Sequence, residues 1–498
     1  MIFGFTLLLQ TTIMVATPTV SLDFDPNAYT LKTLSYKEKT IQVRAYENII
    51  YVQSPIDTQY QILNVYVPVE YYEHQTINGY TANTAPIFFP NLIGGYMPSK
   101  PLVLADSKPS LTRLDKPLPP IANMRSNASL EALKQGFIVV SAGARGRTSH
   151  DGKGVYTGKA PAGIVDLKAA IRYLHYNDTR MLGDATKIIS NGTSAGGALS
   201  ALLGASGNHE DYEPYLKTLG AANAKDDIFA VSAYCPITNL EHADMAYEWL
   251  FSGITHYKKL VISGMTDWKM KREEIEGDLT LEQQGLATAL KALFPTYVNH
   301  LALKKSDATP LMLDTNGEGS FKEYISSLVI ASAQKALDKG KDMSSYPWLY
   351  HENNRIIGMD FDRYIHYMGR MKTPPAFDAL DLSSGENTLF GTQQINSQHF
   401  STFGQQHDMA HGTLAEAHII KMMNPMEYID QNGATIAKYW RIRHGTIDKD
   451  TSLAIPALLA TKLQNSGLIV DFELAWDQPH GGDYDLDELF AWANTICH

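Results

Sequence analysis

The stretch "NGTSAGGALSALLGASG", residues 191–207, decides how the rest of the chain is read. Ser194 stands between Gly192 and Gly196, giving G-x-S-x-G. Glycine and serine fill many ordinary turns, so the flanks have to discriminate. Before the motif, "KIIS" (187–190) is a short apolar strand, and after it "AGGALSALLGA" opens a helix of small residues. A strand, a sharp turn and a helix are the context in which such a turn lifts a serine oxygen clear of a sheet as a nucleophile.

Working outward, "QILNVYVPVEYY" (61–72) and "APIFFPNLIGGY" (85–96) read as strands, with turn signals between them. The run 137–142 in "GFIVVSAGARGR" suits a strand buried on both faces. Ile164, Leu167, Ile171 and Leu174 recur at spacings of three and four, which predicts a helix. Alternation of this kind indicates a parallel α/β sheet. From about Tyr234 the character changes. "WKMKREEIEGD" (268–278) is a dense charge run. Helical patterns follow around Leu286, Leu290, Leu293 and Tyr297, and again over 324–339. No strand is predicted until "KYWRIRHG" (438–445), so a mostly helical insertion interrupts the sheet. Alternation then resumes with the helix "TSLAIPALLATKLQNSG", the strand "LIVDFELAW", the loop "DQPHGGDYD" and a last helix from about Leu486.

With 498 residues, 44% of them hydrophobic and 19% charged, the chain is globular and long enough for a large core plus an insertion. A formal net charge of -11 argues against nucleic acid as a partner. Two cysteines, Cys235 and Cys497, supply neither a disulfide framework nor a zinc motif. Residues 1–21 are uncharged and hold "IFGFTLLL", which resembles a short export-signal core without a basic lead or a good cleavage site. If they are a signal, the protein is secreted or on the cell surface; otherwise it is cytoplasmic. No stable membrane insertion is expected.

A serine hydroxyl is a weak nucleophile until an imidazole takes its proton and a carboxylate holds the imidazole. In a sheet of this kind the three residues follow the chain order Ser, acid, His on loops at the carboxyl ends of strands. After "YWRIRHG" come Asp448 and Asp450, and after the next strand comes His480. Either aspartate satisfies the order, and either could instead cap the helix that follows. The Ala195 N–H is one candidate oxyanion donor, and Gly94 and Gly95 of "NLIGGY" lie where a second belongs. His407, His411 and His418 fall on one helical face if "HDMAHGTLAEAH" is a helix, but no HExxH accompanies them, so no metal is expected.

Several long blocks resemble the subtype B bacterial tannases: "NGTSAGGALSALLGASGN", "DDIFAVSAYCPITNLEHADMAYEW", "MKTPPAFDALDL", "WRIRHGTIDKDTS" and "PHGGDYDLDELFAW". The likeness runs from about Leu22 to the last residue, leaving only the first twenty or so residues and 268–278 unmatched. It implies an α/β-hydrolase sheet related to feruloyl esterases, with core segments 22–234 and 425–498 and a lid over 235–424. It further implies Ser194 as nucleophile, Asp448 as the acid and His480 as the base. Lys372, Glu386 and Asp450 would bind galloyl hydroxyls. The expected substrates are gallate esters and galloylated polyphenols, with no cofactor. A feruloyl-type or general carboxylesterase is one alternative, and a non-catalytic binding protein of the same fold is another.

Overall fold

Short apolar runs separated by helices build one sheet in a computed structural model that describes residues 20–105, 120–266 and 269–498. The strands are β1 (Thr30–Tyr36), β2 (Lys39–Ile50), β3 (Ile62–Pro68), β4 (Pro86–Pro90), β5 (Ile138–Ala142), β6 (Asp184–Thr193), β7 (Ala230–Tyr234), β8 (His256–Thr266), β9 (Lys269–Asp278), β10 (Leu349–Glu352), β11 (Arg355–Met359), β12 (Tyr439–Gly445) and β13 (Ile469–Ala475). Nine of them form the main sheet, in the order β1-β2-β3-β5-β4-β6-β7-β12-β13. Pairing is antiparallel from β1 to β5 and parallel across β5, β4, β6, β7, β12 and β13. Helices Pro120–Lys134, Ala162–Tyr176, Ala195–Ala205 and Ala454–Asn465 make the crossovers. They cover the sheet, so β4, β5 and β7 are buried at every position. The helix Ala162–Tyr176 buries Ile164, Leu167, Ile171 and Leu174, the residues that mark its period. This is the α/β-hydrolase arrangement, in which chemistry gathers at the carboxyl ends of the parallel strands.

Between β7 and β12 the chain adds no strand to the main sheet. Helices Leu281–His300 and Ser320–Asp338 lie there as the periodicity predicts, although the first buries Leu290 and Phe294 and leaves Leu293 exposed. The absence of strands from this segment is not found. It holds two antiparallel hairpins, β8–β9 and β10–β11. The charge run falls in β9, where Glu276 and Glu274 lie 2.7 and 3.6 Å from Lys258 of β8. Such a ribbon is held by backbone pairing and cross-strand ion pairs, so it shows no apolar alternation. The hairpin β1–β2 was also not anticipated, and the strands expected over 61–72 and 85–96 end at Pro68 and Pro90. "HDMAHGTLAEAH" is not one helix: His407 caps Thr402–Gln406, His411 has a positive φ, and His418 belongs to a separate helix. The proposed export segment lies almost wholly outside the described residues. Among the described residues no helix is long and apolar enough to cross a membrane.

Candidate active site

Ser194 follows β6 directly and has φ 60° and ψ -123°. This sparsely populated conformation costs roughly 1–3 kcal/mol and persists only where the surroundings enforce it. Its N–H donates to the Tyr234 carbonyl (3.0 Å), and its own carbonyl accepts from Ala198 (2.9 Å). The flanking glycines are there for want of room. A Cβ on Gly192 would stand 2.2 Å from the Gly196 carbonyl oxygen. One on Gly196 would stand 2.6 Å from Asn91 Oδ1 and 2.7 Å from the Ile93 carbonyl oxygen. Gly196→Ala is therefore expected to lower stability by about 1–3 kcal/mol, because backbone has to move. Denaturant midpoints of folded variant and parent test this, and an unchanged midpoint would contradict the packing argument.

Asn91, just beyond β4, ties the neighbouring loop to this turn. Its Nδ2 donates to the Gly196 carbonyl (2.8 Å) and to Ser200 Oγ (2.9 Å). Gly94 and Gly95 follow in the same loop, and Gly95 has a φ of 54°. The Gly95 carbonyl accepts from Arg147 Nε at 2.8 Å. Ala195 is the first residue of its helix, so its N–H has no intrahelical acceptor.

Asp448 and Asp450 lie in the loop after β12, and their side chains diverge. Asp448 is fully buried; its Oδ2 accepts from His480 Nδ1 at 2.8 Å, and its Oδ1 accepts from the Asp450 N–H at 2.9 Å. Burial alone would raise its pKa, but His480 and His444 outweigh that and hold it at about 2. For His480, burial disfavours the charged ring, yet the Asp448 carboxylate wins and holds it well above the ordinary 6.5. Asp450 turns the other way, with Oδ1 2.6 Å from Lys372 Nζ and Oδ2 3.6 Å from His480 Nε2.

The loop that carries His480 is pressed onto the serine turn. A Cβ on Gly482 would stand 2.1 Å from Thr193 Oγ1, the residue before Ser194. Asn191 Nδ2 donates to Asp483 Oδ1 at 3.0 Å, fixing the same loop to the end of β6. Neighbouring strands β6, β7, β12 and β13 thus bring Ser194, Asp448 and His480 to one end of the sheet.

Lys372 and Glu386 come from the segment between β7 and β12. The Lys372 N–H donates to Tyr247 Oη (2.9 Å), whose hydroxyl donates to the Lys449 carbonyl (3.0 Å), so Tyr247 joins this segment to the loop holding both aspartates. Lys372 Nζ also lies 3.9 Å from the centre of the Phe377 ring. Glu386 lies on the short helix Gly385–Leu389, capped by Ser384 and anchored by Asn387 Nδ2 donating to Asp378 Oδ1 (2.7 Å). Burial raises the Glu386 pKa while Lys372 pulls against it. Arg147 lies beneath this helix: a Cβ on Gly385 would stand 3.0 Å from its Cζ.

Tyr247, Arg147 and His444 were not singled out in the sequence. His444 is buried with its Nδ1 3.7 Å from Asp448 Oδ2. Its position four residues before "DKDTS" carries no motif, so only the fold reveals it. A cavity of about 480 Å³, lined by Tyr156, Lys159, Phe390 and His418, lies elsewhere and includes none of Ser194, Asp448 or His480.

A family model described as BD-FAE matches residues 121–273. No curated protein matches the chain. Among solved structures it is similar to the native tannin acyl hydrolase from Lactobacillus plantarum, at 46% identity and a TM-score of 0.88, over 96% of this chain and 99% of that one. The Fusobacterium nucleatum tannase is 50% identical with a TM-score of 0.88, over 96% and 100%. A tannin acyl hydrolase in complex with ethyl gallate is 46% identical with a TM-score of 0.87, over 96% and 99%.

Proposed function

The chain belongs to the bacterial tannases, carboxylic ester hydrolases of the α/β-hydrolase fold, and from that premise we propose that it cleaves galloyl esters through Ser194, His480 and Asp448. The observation that carries the assignment of roles is the divergence of the two neighbouring aspartates. Asp448 holds the imidazole, while Asp450 is held by Lys372 and turned toward the Nε2 side of the same ring.

In this mechanism Ser194 Oγ attacks the ester carbonyl as His480 Nε2 takes its proton. Asp448 fixes the ring so that Nε2 carries the free lone pair, and it stabilises the imidazolium that forms. The N–H of Ala195 and an N–H of the Gly94–Gly95 loop receive the developing oxyanion. His480 returns the proton to the leaving alcohol. Water then attacks the galloyl-enzyme with His480 as base, and gallic acid departs.

Recognition of the acyl part falls to Lys372, Glu386 and Asp450. Three adjacent phenolic hydroxyls can donate to the two carboxylates and accept from the ammonium. Residues 235–424 act as the lid that brings Lys372 and Glu386 over the ring. The substrates of this reading are simple gallates and galloylated polyphenols. Methyl gallate and methyl ferulate assayed side by side test it. Gallate is expected to have the higher kcat/KM by at least about a hundredfold, because the ferulate methoxy group leaves a partner of the polar cluster unpaired. Equal values would favour a feruloyl-type esterase.

A further inference from the structure

Lys159 takes no part in the reaction described, yet its buried ammonium touches both sides of the site. The residue is only 6% exposed. Its Nζ donates to the carbonyls of Arg147 (2.8 Å), Asn396 (2.8 Å) and Thr388 (2.9 Å), with a further contact to Asn396 Oδ1 at 3.1 Å. All of these acceptors are neutral, although a buried charge ordinarily calls for a counter-charge. An ammonium has three N–H donors and no lone pair, so only the charged form can serve all three carbonyls.

Those carbonyls belong to two different parts of the molecule. Arg147 stands on a core loop, where its N–H donates to the Tyr96 carbonyl and its Nε to the Gly95 carbonyl, both at 2.8 Å. Thr388 and Asn396 come from the segment between β7 and β12, and Thr388 shares the short helix of Glu386. Carbonyls at a helix C-terminus need partners from outside the helix. Lys159 Nζ takes that of Thr388, and the Ala160 N–H takes that of Leu389 at 2.9 Å. We infer that Lys159 is a positioning residue: its ammonium pins the Glu386 helix to the Arg147 loop, and this pin sustains the preference for hydroxylated rings. The effect on preference rests on the galloyl-binding role proposed for Glu386, whereas the pin itself does not. The core side is held without Lys159, because Arg145 Nη1 donates to the Thr157 carbonyl (2.8 Å) and Arg147 keeps its bonds to Gly95 and Tyr96. Loss of the pin therefore loosens acyl recognition and leaves Ser194 and its surroundings in place.

The pin also responds to pH. Burial first, and then the neighbouring Arg147 guanidinium, push the Lys159 pKa down to about 8. Of the other ionisable groups around it, Tyr156 presents its ring 4.3 Å from Nζ, and Glu386 answers to Lys372, Asp450 and Arg147. Across the cavity that Lys159 lines, Arg145 pairs with Asp166, and Glu416 with His418. The pin is thus intact below its pKa and lost as pH rises through it. The neutral amine keeps two N–H donors and turns a lone pair toward the third carbonyl.

The test compares Lys159→Met with the parent on methyl gallate and methyl benzoate, alongside amide hydrogen exchange over residues 385–391. About one pH unit below the Lys159 pKa, the variant should raise KM for gallate at least about tenfold, with kcat unchanged and benzoate kinetics as in the parent. About one unit above it, the parent should lose most of its advantage, so the ratio of the two kcat/KM values for gallate narrows severalfold. Ionisation of His480 and of the gallate phenols is common to both proteins and cancels in that ratio. In the parent, exchange protection over 385–391, corrected for intrinsic rates, should fall as pH rises through the same value; in the variant it should be low throughout. The parent's exchange profile needs neither a folded variant nor turnover, so it tests the pin by itself. Glu386→Ala, which should lose gallate preference with 159 unaltered, separates a failure of the galloyl-site reading from a failure of the pin. Parent protection that stays flat across that pH range would overturn the pin. A folded Lys159→Met with parental KM for gallate, or with equal losses on both esters, would overturn its effect on preference.

Discussion

Ser194→Ala is expected to fold normally and to lose kcat for methyl gallate by at least about 10⁴-fold. Oγ is the only atom in the account that bonds to the substrate, so no other side chain can carry the galloyl group. The fold survives because the turn is set by backbone contacts to Tyr234 and by the crowding around Gly192 and Gly196, none of which uses the hydroxyl. Turnover rates alongside a thermal unfolding curve decide the matter. A folded variant with near-normal turnover would remove the covalent mechanism.

The second large effect separates two acids only two residues apart. Asp448→Asn should lower kcat on the order of 10³–10⁴-fold for every ester, because an amide cannot stabilise the imidazolium or enforce its tautomer. It should also move the acid limb of the pH profile. His480 must be neutral to act as base, and the Asp448 carboxylate holds its pKa well above 6.5. In the parent enzyme, activity is thus lost as pH falls through a value above 6.5. Without that carboxylate the limb should move to lower pH. Asp450→Ala should behave differently, costing gallates more than esters without ring hydroxyls, since Asp450 makes its short contact with Lys372. Equal, substrate-independent losses in the two variants would refute the division of labour.

The core was legible where local and global signals agree. The elbow, the fully buried strands and the three post-strand loops each have a sequence signature. The two hairpins of the insertion do not, because β9 is strongly charged and β10 and β11 are only four and five residues long. The choice between Asp448 and Asp450 could not be made from spacing. It depends on where His480, 32 positions away, comes to lie. Tyr247 and Arg147 were invisible for the same reason, since their partners at Lys449 and Gly95 are distant in sequence. Lys372 and Glu386 read locally as surface charges. Only the family likeness pointed to them, and the fold draws Lys372 against Asp450.

The central claim is that a polar cluster of Lys372, Glu386 and Asp450 reads the ring hydroxyls while Ser194 cleaves the ester. Comparing kcat/KM for methyl gallate and methyl benzoate tests it most directly, because the two share ester and ring and differ only in the hydroxyls. Each buried group left unpaired costs about 1–3 kcal/mol, and each 1.4 kcal/mol is roughly tenfold. Benzoate should therefore fall below gallate by several orders of magnitude, and Glu386→Ala should narrow that gap by slowing gallate alone. Comparable kcat/KM for the two esters in the unaltered enzyme would contradict the account.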